Sequence, residues 1–346
     1  MSPRTQDFGQ ADHPEPALGA GATALPDDRL GAMSPAARPG EATWQDFLHA
    51  ARGRLSPATP LLEHEALGPK TTMRVGGPAR IYAEPAGTED LRHLLQLATH
   101  HGLPVLLLGR GSNLIIPDAG VAGLVISLGH AHWQKFEPQP DGRVWVGAGL
   151  RLKNLCGLAT KAGLTGFEFL EGIPGSVGGA LRMNAGAMGS AMFSVVETVR
   201  LMDHAGNIRE LTADEMHAEY RNCPVLKDHI ALGAVFLGTP ASPEEIGNRM
   251  HQFSSKRWTS QPAAPSAGCI FKNPEAIPAG RLVDELGLKG ARVGGALVSA
   301  EHGNFIVNDG YATAKDVLGL IEIIRARAKS ERGIDLHTEV EIIGED

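Results

Sequence analysis

Apolar positions along this chain repeat with two periods, one helical and one extended, and their alternation predicts short strands interleaved with helices. Between Thr88 and His101, Leu91, Leu94, Leu95 and Ala98 share one helical face, and Thr88 stands where it can cap the first turn. The run 'PVLLLG', from Pro104 to Gly109, reads as a buried strand, and 'GLVISL' from Gly123 as another. 'VWVGAG' is a strand entering a glycine turn, followed by a helix from about Leu152 to Ala162. The stretch 'FSVVETVRLMDHAGNIRELT' divides into two strands about a turn at Gly206 and Asn207. Ser242, Pro243 and Glu245 spell a capping box with proline at the first helical position, and a domain change is expected there. Thr313 opens the last long helix, striped by Val317, Leu318, Leu320, Ile321 and Ile324, and 'TEVEII' closes the chain as a strand. The pattern is that of a mixed α/β protein without internal repeats.

Residues 1 to about 42 break the pattern. They are rich in Pro, Gly, Ala and Asp with no apolar periodicity, so they read as a mobile extension, with order beginning near Trp44. The 346 residues suggest two or three domains, and 42% apolar content suffices for real cores. A formal charge of −7 gives no basic footprint for nucleic acid. Three cysteines, Cys156, Cys223 and Cys269, form neither a disulfide framework nor a zinc-type pairing, so no metal is expected and a reducing compartment fits best. No apolar run of about 18 residues marks a transmembrane helix, and the N-terminus lacks a secretory apolar core.

Glycine changes the picture. The chain has 43, and three segments concentrate them: 'TTMRVGGPAR' (Thr71 to Arg80), 'LGRGSNLII' (Leu108 to Ile116) and 'GIPGSVGGALRMNAGAMG' (Gly172 to Gly189). Successive glycines let backbone N–H groups point into one concavity that accepts phosphate oxygens. None of the segments has the Gly-Lys-Ser/Thr of a P-loop, and 'GRGSNL' has leucine at the third glycine of the dinucleotide fingerprint. One such loop is most simply a tight turn; three together suggest a single long, phosphate-bearing cofactor.

A second group carries reactive side chains. 'YRNC' offers Tyr220 and Arg221, 'SAGCIFKNP' offers Cys269, Lys272 and Asn273, and 'HTEVEII' offers Glu339. Arg221 could clamp a carboxylate, Cys269 could be an acid or a nucleophile, and Glu339 could give or take a proton if desolvated. Taken singly, each has a plainer reading: a solvated arginine, a small core cysteine, a solvent-facing glutamate.

The order of the segments 'TMRVGGPA', 'LGRGSNLI', 'GIPGSVGGALRMNAGAMG', 'YRNC', 'AGCIFKNP', 'GLKGARVGGALVS', 'HGNFIVN' and 'LHTEVEIIG' closely resembles the UDP-N-acetylenolpyruvoylglucosamine reductase family over about Leu62 to Gly344. The resemblance implies a vanillyl-alcohol-oxidase-type flavin fold of two subdomains, over 43–130 and 131–240, and a smaller α/β substrate domain over 241–346. It implies non-covalent FAD held by Arg74, Val75, Gly76 and Gly77, by Gly109, Arg110, Gly111, Ser112 and Asn113, and by Gly172, Ile173, Pro174, Gly175, Ser176, Gly178, Gly179, Asn184, Gly186 and Gly189. The family's catalytic trio falls on Arg221, Cys269 and Glu339, and Tyr220, Arg257, Lys272 and Asn273 fall where substrate would be gripped.

The implied reaction takes hydride from NADPH through FAD to UDP-N-acetyl-3-O-(1-carboxyvinyl)-glucosamine, with the proton from Cys269, giving UDP-N-acetylmuramate for peptidoglycan synthesis. A cytoplasmic monomer without nucleic-acid or membrane partners is expected; an FAD oxidase of the same fold is the alternative. Two positions depart from the family pattern: its proton donor is commonly Ser where this chain has Cys269, and its 'NT' is Thr71-Thr72 here. The short run between Phe236 and 'SAGC' matches the compact subtype, without a longer loop over the substrate.

Overall fold

A computed structural model describes residues 39–344. The expected extension therefore lies outside the described residues as far as residue 38. The first helix, Glu41–Arg54, buries Trp44, Phe47, Leu48 and Ala51. It begins slightly earlier than the composition suggested, after Gly40, and Glu41 accepts a hydrogen bond from Arg80.

Three sheets organise the described residues. The first has four strands, ordered Leu61–Glu63, Ala79–Ala83, Val121–Ile126 and Val105–Leu107; the first pair is antiparallel and the rest parallel. The helix Thr88–His100 covers it with Leu91, Leu94, Leu95 and Ala98, the stripe read from the sequence. Thr88 is not its cap. Gly87 occupies the extended capping position without a side-chain bond, and the Thr88 hydroxyl lies 3.4 Å from His132 Nε2. The strand expected from Pro104 shortens to Val105–Leu107 and is half-buried, and the next one begins at Val121.

The second sheet is antiparallel, in the order Ile208–Thr212, Val196–Asp203, His229–Leu237, Arg143–Gly147 and Phe136–Pro138. The expected turn at Gly206 and Asn207 joins its first two strands, held by Asp203, which accepts from the Asn207 backbone and side chain. The helices Leu152–Lys161 and Val177–Arg182 pack on this sheet's core. So does Pro243–Trp258, whose capping box on Ser242 and Glu245 forms as read. Met250 and Phe253 of that helix lie on the second core, and Arg249 bonds to Thr165.

The third sheet orders Ser266–Cys269, Phe305–Asn308, Ala296–Val298 and Arg292–Val293, all antiparallel. Its core is closed by the helix Ala314–Arg332, which Thr313 and Asp316 cap reciprocally. Met73, Val75 and Ile115, all from the glycine-rich segments, enter the same core. The six-residue terminal strand expected from 'TEVEII' is only Glu341–Ile342, parallel to Leu114–Ile115. Thr338 makes an isolated bridge to Phe271, and Glu339 lies in the bend between. No helix among the described residues is long and apolar enough to cross a membrane.

Candidate active site

The three glycine-rich segments meet. Thr72 N–H and hydroxyl both donate to the Gly111 carbonyl, and the Ser112 hydroxyl donates to the Pro174 carbonyl at 2.8 Å. A side chain at Gly109 would stand 2.9 Å from the Ser176 hydroxyl. Thr71 is buried and locks the first loop by accepting from Arg74 N–H and donating to Gly68 O. Arg110 is drawn below its ordinary pKa by burial and then by the nearby charge of Arg151. Three glycine-rich loops bonded to one another, with the positive charges of Arg110 and Arg151 nearby, suit a pyrophosphate, so the residues present fit a long phosphate-bearing cofactor such as FAD.

At the edge of this cradle the second group gathers. Arg221 Nε donates to Glu339 Oε1 at 2.6 Å, both side chains less than a quarter exposed, and Arg221 Nη2 reaches the Gly186 carbonyl at 3.4 Å. Arg221 takes a left-handed backbone, φ 57°, a conformation that costs a non-glycine residue about 1 kcal/mol or more and recurs at functional sites. Its guanidinium lies 5.0 Å from the centre of the Tyr220 ring, which is otherwise exposed.

Cys269 ends its strand at a register shift opposite Phe305, where Gly268 adopts φ 79°. A bulge of this kind needs glycine and re-aims the residue beside it. Burial, and then the Glu339 charge, push the Cys269 thiol up to about 11, against smaller opposing effects of Arg221 and Arg257. The thiol is therefore protonated throughout the neutral range. Glu339 is fixed through its backbone: its N–H donates to Ile270 O, and its carbonyl accepts from Asn113 Nδ2 at 3.1 Å. The second glycine loop is thus bonded directly to the segment that carries the charge pair.

Other candidates fall in different places. The side-chain oxygen of Asn273 accepts from Ala279 N–H at the start of a helix. Lys272 is exposed, with its N–H bonded to His337 O. Asn184 bonds Glu219 O and Phe193 N–H, bracing the turn that carries Arg221. Arg257, expected to grip substrate, runs over Gly172, where a side chain would stand 2.3 Å from its Cδ, and its charge acts on Cys269. Asn304, inside 'HGNFIVN' but not singled out, is buried, clamps both backbone groups of Phe271 and is among the smaller influences that lower the Cys269 thiol's pKa. Among the described residues no group of three or more His, Cys, Asp and Glu could hold a metal.

Residues 79–212 match the FAD binding domain family and residues 261–343 the C-terminal domain of UDP-N-acetylenolpyruvoylglucosamine reductase. The chain is 44% identical over 287 residues to the UDP-N-acetylenolpyruvoylglucosamine reductase of Bacillus velezensis, covering 82% of this chain and 94% of that one. The chain belongs to the UDP-N-acetylenolpyruvoylglucosamine reductase family. A family member from Caulobacter vibrioides is 41% identical over 305 residues, covering 87% of this chain and 99% of its own. The crystal structure of the Thermus caldophilus family member superposes with a TM-score of 0.70 at 40% identity, covering 82% of this chain and 98% of that one. The expected FAD-binding fold followed by a reductase C-terminal domain is therefore present.

Proposed function

We propose that this chain is an FAD-dependent reductase that uses NADPH to convert the enolpyruvyl ether of UDP-N-acetylglucosamine to UDP-N-acetylmuramate, in the cytoplasm, for peptidoglycan precursor synthesis. The observation that carries the reading is the bond from Asn113 to the Glu339 carbonyl, which ties the second glycine loop to the Arg221–Glu339 pair and the buried Cys269 thiol. FAD would be held by the three glycine-rich segments, with Gly76 and Gly77, Gly109 to Asn113 and Gly172 to Gly179, and would supply the hydride transfer between NADPH and the terminal methylene carbon of the enolpyruvyl group.

Hydride addition leaves negative charge on the neighbouring carbon and its carboxylate, and fixed charge must meet it there. Arg221 meets the carboxylate with its outer guanidinium nitrogens, while Glu339 holds it from Nε. Cys269 gives its proton to the charged carbon and becomes a thiolate, which the charges of Arg221 and Arg257 favour. Solvent then returns a proton to the sulfur. Arg257 and Tyr220 grip the remainder of the substrate, with Lys272 at the rim. Three free cysteines support a reducing compartment.

Steady-state NADPH oxidation by the purified yellow protein tests the reading. NADPH should be consumed, without oxygen, only when the enolpyruvyl sugar nucleotide is supplied. Consumption that needs oxygen and ignores the sugar nucleotide would instead make the chain an oxidase.

A further inference from the structure

One guanidinium holds both segments that carry the charge pair. Arg182 ends the helix Val177–Arg182; one arm donates to the Leu226 carbonyl at 2.8 Å and the other to Glu341 Oε1 at 2.9 Å. Leu226 lies in the turn Pro224–Lys227 that follows Arg221, and Glu341 lies just beyond Glu339. Both bonds are partly buried, and Leu226 itself is buried. The same stretch of chain reaches the Arg221 segment twice more, through Asn184 to Glu219 O and through Gly186 O to Arg221 Nη2. On the other side, Glu341 N–H is bonded to Asn113 O.

We propose that Arg182 is a positioning residue whose fork sets the spacing between Arg221 and Glu339. The inference rests on the function proposed above. A rigid planar fork can satisfy two acceptors at a fixed separation, whereas a lysine ammonium on a flexible stem serves them as a point charge. The pair it aligns is in contact at 2.6 Å, and a misplacement of about 1 Å at a reacting site costs on the order of a hundredfold in rate. A merely structural ion pair at this depth would instead affect folding and both half-reactions alike.

Arg182→Met and Arg182→Lys, assayed as flavin-loaded protein, separate the two roles. Flavin content and the rate of bleaching by NADPH should stay near wild type, while anaerobic reoxidation by the enolpyruvyl sugar nucleotide slows roughly 10- to 100-fold. Lys should recover only part of the loss. Glu341→Gln should slow the same half-reaction, and the double variant with Arg182→Met should be no slower than Arg182→Met alone. A double-mutant cycle on thermal unfolding, joining Arg182→Met to Glu339→Gln, should be non-additive. Wild-type reoxidation in Arg182→Met, or equal slowing of bleaching and reoxidation, overturns the positioning role. Should Arg182→Met fail to fold, Glu341→Gln decides by the same split between half-reactions. If wild-type protein itself is not reoxidised by the sugar nucleotide, the proposed function fails, and the unfolding cycle still judges whether Arg182 governs the pair.

Discussion

Replacing Arg221 by lysine keeps a positive charge in the site and removes its geometry. Lysine cannot reproduce both the 2.6 Å bond from Nε to Glu339 and the reach to the Gly186 carbonyl. A hydrogen bond to a charged group contributes about 1.5–3 kcal/mol, and both side chains are less than a third exposed, so solvent screening removes little of it. If that interaction is needed as charge develops on the substrate, its loss slows the second half-reaction roughly 10- to 150-fold, at about 1.4 kcal/mol per decade. The left-handed backbone at residue 221 burdens arginine and lysine equally, so it cancels in the comparison. Rapid mixing without oxygen gives the two rates separately. Arg221→Lys should bleach with NADPH as fast as wild type and reoxidise with the sugar nucleotide far more slowly. Wild-type reoxidation would remove Arg221 from the substrate's neighbourhood, and equal slowing of both steps would make it a residue of the flavin cradle.

Cys269 offers a pH test. An acid raised to about 11 stays protonated until the pH approaches that value, so alkylation by iodoacetamide should be slow at pH 8 and rise only in strongly alkaline buffer. Glu339→Gln removes the second-largest cause of the elevation and should shift the profile to lower pH; a wild-type midpoint near the ordinary thiol value of ~8.5 would contradict the buried environment. Asp118, just after the second glycine-rich segment, accepts with its carboxylate from the N–H groups of Ala314 and Lys315 and so joins that stretch to the final helix. Asp118→Ala should cost about 1–2 kcal/mol, read as a lower Tm with activity retained below it, and an unchanged Tm would show the cap to be dispensable.

Helices were legible in the chain where stripe and cap agreed. Ser242 and Thr313 start theirs as read, because each hydroxyl has an acidic partner at the third helical position. Thr88 misled by one position: Gly87 already provides the extended capping conformation, leaving threonine inside the first turn. The terminal strand was over-read because its alternation continues for six residues, whereas its partner Leu114–Ile115 offers only two. Cys269 and Glu339 stood out only as members of an ordered series of segments; nothing local distinguishes them from a core thiol and a surface carboxylate. Arg182 and Asn304 were not legible as parts of the site. Their partners, Glu341 and Phe271, lie far away in sequence, and such pairings appear only once the fold has brought them together.

Anaerobic mixing of NADPH-bleached protein with the enolpyruvyl sugar nucleotide, in wild type and Cys269→Ala side by side, tests the central claim most directly. Wild type should recover its yellow colour in step with formation of one lactyl ether per flavin. Cys269→Ala should bleach normally but recover slower by on the order of 10²–10⁴-fold, with Cys269→Ser regaining much of the rate. A wild-type flavin that stays bleached until oxygen is admitted would contradict the proposed reaction, and a Cys269→Ala protein that recovers as fast as wild type would contradict the thiol as its proton donor.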